Sequence, residues 1–177
     1  MATNPFVLNV ADVLRSDGMP QVITTTGSSP SRIGPEMIAI PEGGEVTVEA
    51  TVTNLGSGVL VDATATASLE GECVRCLAPL TPTESLTISQ VFSIDEDFIT
   101  GDEEVDEDQG SGDEVKYVNP DDTVDLEQSF IDEAGLTLPF NPTCQPDCAE
   151  TDVPAPDGVS GAEERVDPRW AGLEKFL

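Results

Sequence analysis

The chain contains no histidine among its 177 residues. Without an imidazole there is no Ser–His or Cys–His pair to generate a nucleophile. Basic side chains are nearly as scarce. Lys116, Lys175, Arg15, Arg32, Arg75, Arg165 and Arg169 stand against 35 carboxylates, a formal net charge of −28. Binding to bare nucleic acid draws on cations that displace phosphate counterions, so non-specific binding to RNA or DNA is expected to be poor at ordinary salt. A basic partner, such as a ribosomal protein with a cationic tail, is electrostatically easier; the plain alternative is that the acidity serves solubility. Aromatics make up 5% of the chain, with no alternating basic–aromatic platform for stacking single-stranded RNA. There is no GxxxxGK[ST] phosphate loop and no GxGxxG turn. No apolar run is long enough to cross a bilayer, and Met1–Leu8 lacks the basic-then-apolar order of a secretory signal. The expectation is a cytoplasmic protein with reduced thiols, no membrane contact, no small-molecule substrate and no enzymatic activity.

Against these absences stand four cysteines in two pairs. Gly71-Glu-Cys73-Val-Arg-Cys76-Leu sets a CxxC where an alternating strand ends, and Cys144-Gln-Pro-Asp-Cys148 supplies a CxxxC late in the chain. A tight turn aims both sulfurs of such a pair inward, and four thiolates suit a closed tetrahedral zinc site. The gap between Cys76 and Cys144 is far wider than in a compact finger, so sheet and helix would have to bring the pairs together. Two other readings stand beside zinc: inert structural thiols, and a redox or disulfide pair. A redox cysteine is often found at a helix N-terminus, whereas here Pro79 and Pro82 follow closely and no helical pattern begins. Arg75, between the first two cysteines, could favour a thiolate or touch RNA; a solvated turn arginine is the plain reading.

Hydropathy patterning divides the rest. Phe6, Leu8 and Val10 alternate in a first short strand over Pro5–Val10, and Ala11–Arg15 can add one helical turn. Thr24–Ser31 is polar, with Gly, Ser and Pro, and reads as a loop. Val46, Val48, Ala50 and Val52 alternate with polar partners; so do Val59, Val61, Ala63, Ala65, Ala67 and Leu69 after the Gly56-Ser-Gly58 turn. This is the pattern of a half-buried antiparallel hairpin. Leu86, Ile88 and Phe92 suggest a third strand, and the small alanines imply close packing across the sheet. Asp95–Glu114 holds eleven carboxylates and no basic residue, the composition of a disordered insertion, about 95–116. A helix is expected from Asp125, with Gln128 at capping-box spacing, an apolar face of Leu126, Phe130, Ile131 and Ala134, and Gly135 as its stop. Residues 149–165 read as a flexible linker. Asp167 and Pro168 can open a last short helix over 166–177, with Trp170, Leu173 and Phe176 on one face. The expected fold is α+β: one domain over 1–148, mainly an antiparallel sheet, barrel-like in its curl, with one or two short helices.

The opening Pro-Phe-Val-Leu-Asn-Val-Ala-Asp-Val-Leu, the Gly-Glu-Cys-Val-Arg-Cys-Leu turn, Cys144-Gln-Pro-Asp-Cys148 and the closing Val166-Asp-Pro-Arg-Trp-Ala-Gly-Leu173 occur in the order found in the YceD-like family. The chain resembles the actinobacterial branch of this family, also called large ribosomal RNA subunit accumulation protein (domain of unknown function 177). The resemblance implies a non-enzymatic factor for accumulation or processing of large-subunit (23S) rRNA. Its partners would be the large-subunit precursor, with rRNA bound directly or through a basic ribosomal protein, and Arg75, Arg169 and Trp170 are candidate contacts. One departure matters. Relatives of this branch usually continue from the CxxxC into Gly-Leu-Cys-Pro-x-Cys-Gly, where this chain has Ala149-Glu-Thr-Asp-Val-Pro. A zinc site built on that missing pair cannot form here, whereas one built on Cys73, Cys76, Cys144 and Cys148 survives. Two other function classes remain as expectations to test: a zinc- or thiol-based regulatory switch, and an acidic adaptor or chaperone for basic proteins.

Overall fold

The structure, a computed structural model, describes residues 4–16, 18–94, 116–144 and 148. The acidic insertion before Lys116, the linker at 149–165 and the helix expected at 166–177 lie outside the described residues, and with them Arg169 and Trp170.

The hairpin foreseen from alternation is the centre of the molecule. Strands β4 (Glu45–Asn54) and β5 (Gly58–Ser68) pair antiparallel from Val46↔Ala67 to Asn54↔Val59, and β8 (Thr83–Ser93) continues the sheet from β5. The inward set is almost fully buried, while Thr47, Glu49, Thr64, Thr66 and Thr87 form a hydroxyl-rich outer face. Shifting either strand by one residue would put valines in water, so burial specifies this register strongly.

The same sheet ends in β2 (Gln21–Ser28) on one side and the two-residue β9 (Lys116–Tyr117) on the other, in the order β2-β4-β5-β8-β9. The loop expected over Thr24–Ser31 is therefore a strand as far as Ser28. Its threonines are β-branched and suit a pleated surface, and eight consecutive residues pair with β4, which outweighs the turn-like composition. Lys116, assigned to the insertion by composition, sits in β9 opposite Phe92; its ammonium donates to the Ser129 hydroxyl at 2.6 Å. The sheet is open: no barrel closes among the described residues.

The open side of the core is covered by β1 (Val7–Asn9) paired with β10 (Thr123–Asp125), and by α2 (Glu127–Thr137), which packs on β8. Phe6, Leu8, Val10, Leu126, Phe130 and Ala134 are buried there, and the rings of Phe6 and Phe130 lie 5.5 Å apart. The helix begins two residues later than expected. Asp125 stays in the strand and accepts the Glu127 N–H on Oδ1 at 2.9 Å, while the Gln128 side chain turns to Asp132 instead of closing a capping box. Gly135 is no stop. The helix runs on to Thr137 and ends where Pro139 holds Leu138 extended, at ψ 141°. The turn α1 (Ala11–Leu14) forms as expected, and its end is held by Asn54, whose amide donates to the carbonyls of Val13, Leu14 and Ser16 at 3.1–3.2 Å.

A third sheet, β3 (Ile38–Ala39), β6 (Glu70–Glu72) and β7 (Pro79–Leu80), hangs from the end of β5. The turn between β6 and β7 carries Cys73 and Cys76.

Candidate metal centre

Strands β6 and β7 form a short hairpin, Gly71↔Leu80 and Glu72↔Pro79, with the CxxC in its turn. The turn is closed by backbone: Leu77 N–H donates to the Cys73 carbonyl at 2.8 Å and Cys73 N–H to the Ala78 carbonyl at 2.9 Å. Leu77 adopts the left-handed region, φ 58°, which costs a non-glycine residue about 1–2 kcal/mol. That conformation lets the chain reverse just after Cys76. Behind the turn, β3 lies so near that a Cβ on Gly71 would come within 2.5 Å of the Met37 carbonyl oxygen. Only a glycine allows the two strands this approach.

The second pair arrives from the far end of the core. Leu138 is buried against the domain, and the segment after it crosses the turn, where Val74 N–H donates to the Pro142 carbonyl at 2.9 Å. Cys144 and Cys148 thereby meet Cys76 and Cys73, with Sγ–Sγ distances of 3.5 Å and 3.6 Å; all four sulfurs lie within 4.8 Å of one another. A disulfide would bring a pair to about 2.05 Å, so these are four free thiols. Four thiolates at about 2.3 Å from one zinc ion stand about 3.8 Å apart along the edges of the tetrahedron. The two short separations match that spacing, and the cluster could hold a metal ion. Cys73 is buried and the others half-buried.

The electrostatics of the cluster are uneven. The Cys73 thiol is lowered to about 6, chiefly because the Cys76 N–H points at its sulfur; the Arg75 and Cys144 amides add to this against the cost of burial. Cys144 is pushed up to about 12 by hydrogen bonding to the sulfurs of Cys76 and then Cys73, and Cys148 is raised first by burial. One sulfur is thus prepared as an anion while two resist joining it. Crowded thiolates repel in a shielded site, and a divalent cation is the charge that offsets this. The Arg75 side chain is exposed on the turn, and its backbone amide serves the sulfur. Sequence reasoning missed the roles of Val74, Leu77 and Pro142, which are backbone roles that side-chain identity does not announce.

Fold and site together define a small β-rich protein built around an open, mostly antiparallel sheet, with a four-cysteine knuckle at one end. Residues 61–177 match the YceD family model, described as large ribosomal RNA subunit accumulation protein YceD. An uncharacterized protein of Mycobacterium tuberculosis is 36% identical over 98% of this chain and 82% of its own length. A second, from Mycobacterium leprae, is 33% identical over 98% of this chain and 78% of its own. No solved structure matches the chain. The chain belongs to the YceD family, and its mycobacterial relatives agree with the actinobacterial branch to which its motifs pointed. Family membership supports a role in ribosome biogenesis. Among the described residues no helix is long and apolar enough to cross a membrane.

Proposed function

We propose that the protein is a non-enzymatic, cytoplasmic assembly factor that supports accumulation of large-subunit 23S rRNA by holding a component of the large-subunit precursor, and that its four cysteines bind a structural zinc ion. The observation that carries the first part is family membership over residues 61–177. The net charge of −28 favours a basic ribosomal protein over bare rRNA as the direct contact, since an anionic surface repels phosphate. The zinc reading is supported by the donor set: four sulfurs within 4.8 Å of one another, two pairs of them at 3.5 Å and 3.6 Å, would fill all four positions around one ion and leave none open for a substrate, which is the pattern of structural rather than catalytic zinc. Bound there, the metal would join the β6–β7 turn to the segment after α2.

Depletion in the native host tests the function. The ratio of 23S to 16S rRNA is expected to fall, with large-subunit precursors accumulating, and wild-type expression is expected to restore it. An unchanged ratio and normal subunit profile would refute the assembly role. Cross-linked capture yielding a mixed set of unrelated basic proteins would replace it with the chaperone reading. Metal analysis of protein purified without added metal tests the site: one zinc per chain is expected, and four titratable thiols with no metal would remove it.

A further inference from the structure

We propose that the free edge of β2 is a docking strip where an extended, basic segment of a partner protein adds as a further strand of the five-stranded sheet. This deepens the binding role proposed above and rests on it only in supplying the partner's charge.

All eight residues of β2 pair with β4 in unbroken register, and among the described residues no strand pairs with the opposite edge. Outward-pointing N–H and C=O groups on such an edge are a template for another strand, and proteins usually blunt it with charge, proline, a bulge or shortness. The other end of the sheet does so: β9 is two residues long and contains Lys116. Gln21-Val-Ile-Thr-Thr-Thr-Gly-Ser28 uses none of these devices.

The core also stands open here. Val46, Val48, Ala50 and Val52 are fully buried on β4, but Ile23 and Thr25, their neighbours on the same face of β2, are only half-buried. Beside them runs a groove of about 610 Å³, walled by Asn4, Pro5, Val7 and Asn9 and held in place by the Thr25 hydroxyl, which donates to the Pro5 carbonyl at 2.7 Å. An added strand would place every second side chain in this uncharged groove and the alternate ones on the outer face.

Charge selects the occupant. One strand inward, the outer face carries Glu45 and Glu49, and β10 with the turn before it brings Asp121, Asp122 and Asp125 next to β1. Nearby Arg15 is turned to Asp12 at 3.5 Å. A strand docked on β2 would lie about 10 Å from Glu49, two strand spacings, which is comparable with the screening length at 0.1 M salt. Apolar residues toward the groove alternating with Lys or Arg toward the outer face are the complement. A second copy of this chain is disfavoured, because each copy carries −28.

The test uses the full chain, labelled for NMR, and a synthetic nine-residue peptide of alternating lysine and valine. Peptide binding is expected to shift the resonances of Gln21–Ser28 and Val7 and to slow exchange of alternate β2 amides. Strand addition uses one edge of the peptide. N-methylation of alternate residues is therefore expected to cost about tenfold or more in one of its two patterns and little in the other. Glutamate in place of lysine is expected to abolish binding. Equal loss in both patterns, shifts confined to residues outside β1 and β2, absence of binding at millimolar peptide, or self-association through β2 would each overturn the proposal. Depletion reads out rRNA rather than peptide, so a failed edge and a failed assembly role give separate results.

Discussion

Replacing Gly71 by alanine tests whether the cysteine turn depends on close strand packing. Gly71 has no positive φ, so any cost is steric. Its added Cβ would meet the Met37 carbonyl oxygen at 2.5 Å, the Ile38 Cβ at 2.8 Å and the Ile38 Cα at 2.9 Å. Two of these atoms are backbone and none is the end of a flexible side chain, so no rotamer change relieves the overlap. Strands β3 and β6 must separate by about 1 Å, which strains the Glu72 N–H bond to the Met37 carbonyl, now 3.1 Å. Overpacking of this kind costs about 1–3 kcal/mol. For a chain of this size that lowers Tm by roughly 2–12 °C. The same displacement moves Cys73, two residues on, away from the Cys148 sulfur, which lies 3.6 Å from its own. Thermal melts by circular dichroism, with and without metal, measure the stability; cobalt substitution, read from its thiolate charge-transfer band, measures the site. A variant that melts with the wild type and binds cobalt equally well would refute the close-approach reasoning.

The contrasting substitution is Gly135→Ala. Gly135 lies inside α2 with no atom within 4 Å of the position its Cβ would take, so alanine is expected to stabilise by about 0.4–1 kcal/mol in urea titration. Asn54→Ala removes an amide that donates to three carbonyls ending α1 and an oxygen that accepts from Gly56 N–H. A loss of about 1–3 kcal/mol is expected, with exchange protection falling first in Ala11–Ser16. Chelation of bound metal is expected to speed amide exchange at Cys73, Val74 and Leu77 while β4, β5 and β8 stay protected, because that sheet is held by buried apolar area independent of the knuckle. Global unfolding on chelation would show that the metal supports the whole domain.

How much of the fold could be read in advance depended on how local its cause was. The β4–β5 hairpin was legible because Val46–Val52 and Val61–Ala67 each alternate strictly on either side of a glycine-bearing turn, the period of a half-buried strand. The apolar face of α2 was legible from a different period, the four-residue spacing of Leu126, Phe130 and Ala134. The helix end was misplaced because a glycine tolerated within a helix looks the same, in sequence, as one that ends it. Strand β2 was missed because threonine, glycine and serine serve loops and edge strands alike, and only β4 lying alongside decides between them.

The cysteine site divides along the same line. Composition alone removed imidazole chemistry and set the sign of the charge that any partner must complement. Each CxxC or CxxxC half-site could be recognised because its two sulfurs are joined by a turn a few residues long. Whether the halves meet is a question of closing a loop of 68 positions between Cys76 and Cys144. That closure is decided by how α2 packs on β8, by the burial of Leu138 and by the bond from Val74 to Pro142. These are contacts between distant segments, and a linear pattern of residue types does not contain them.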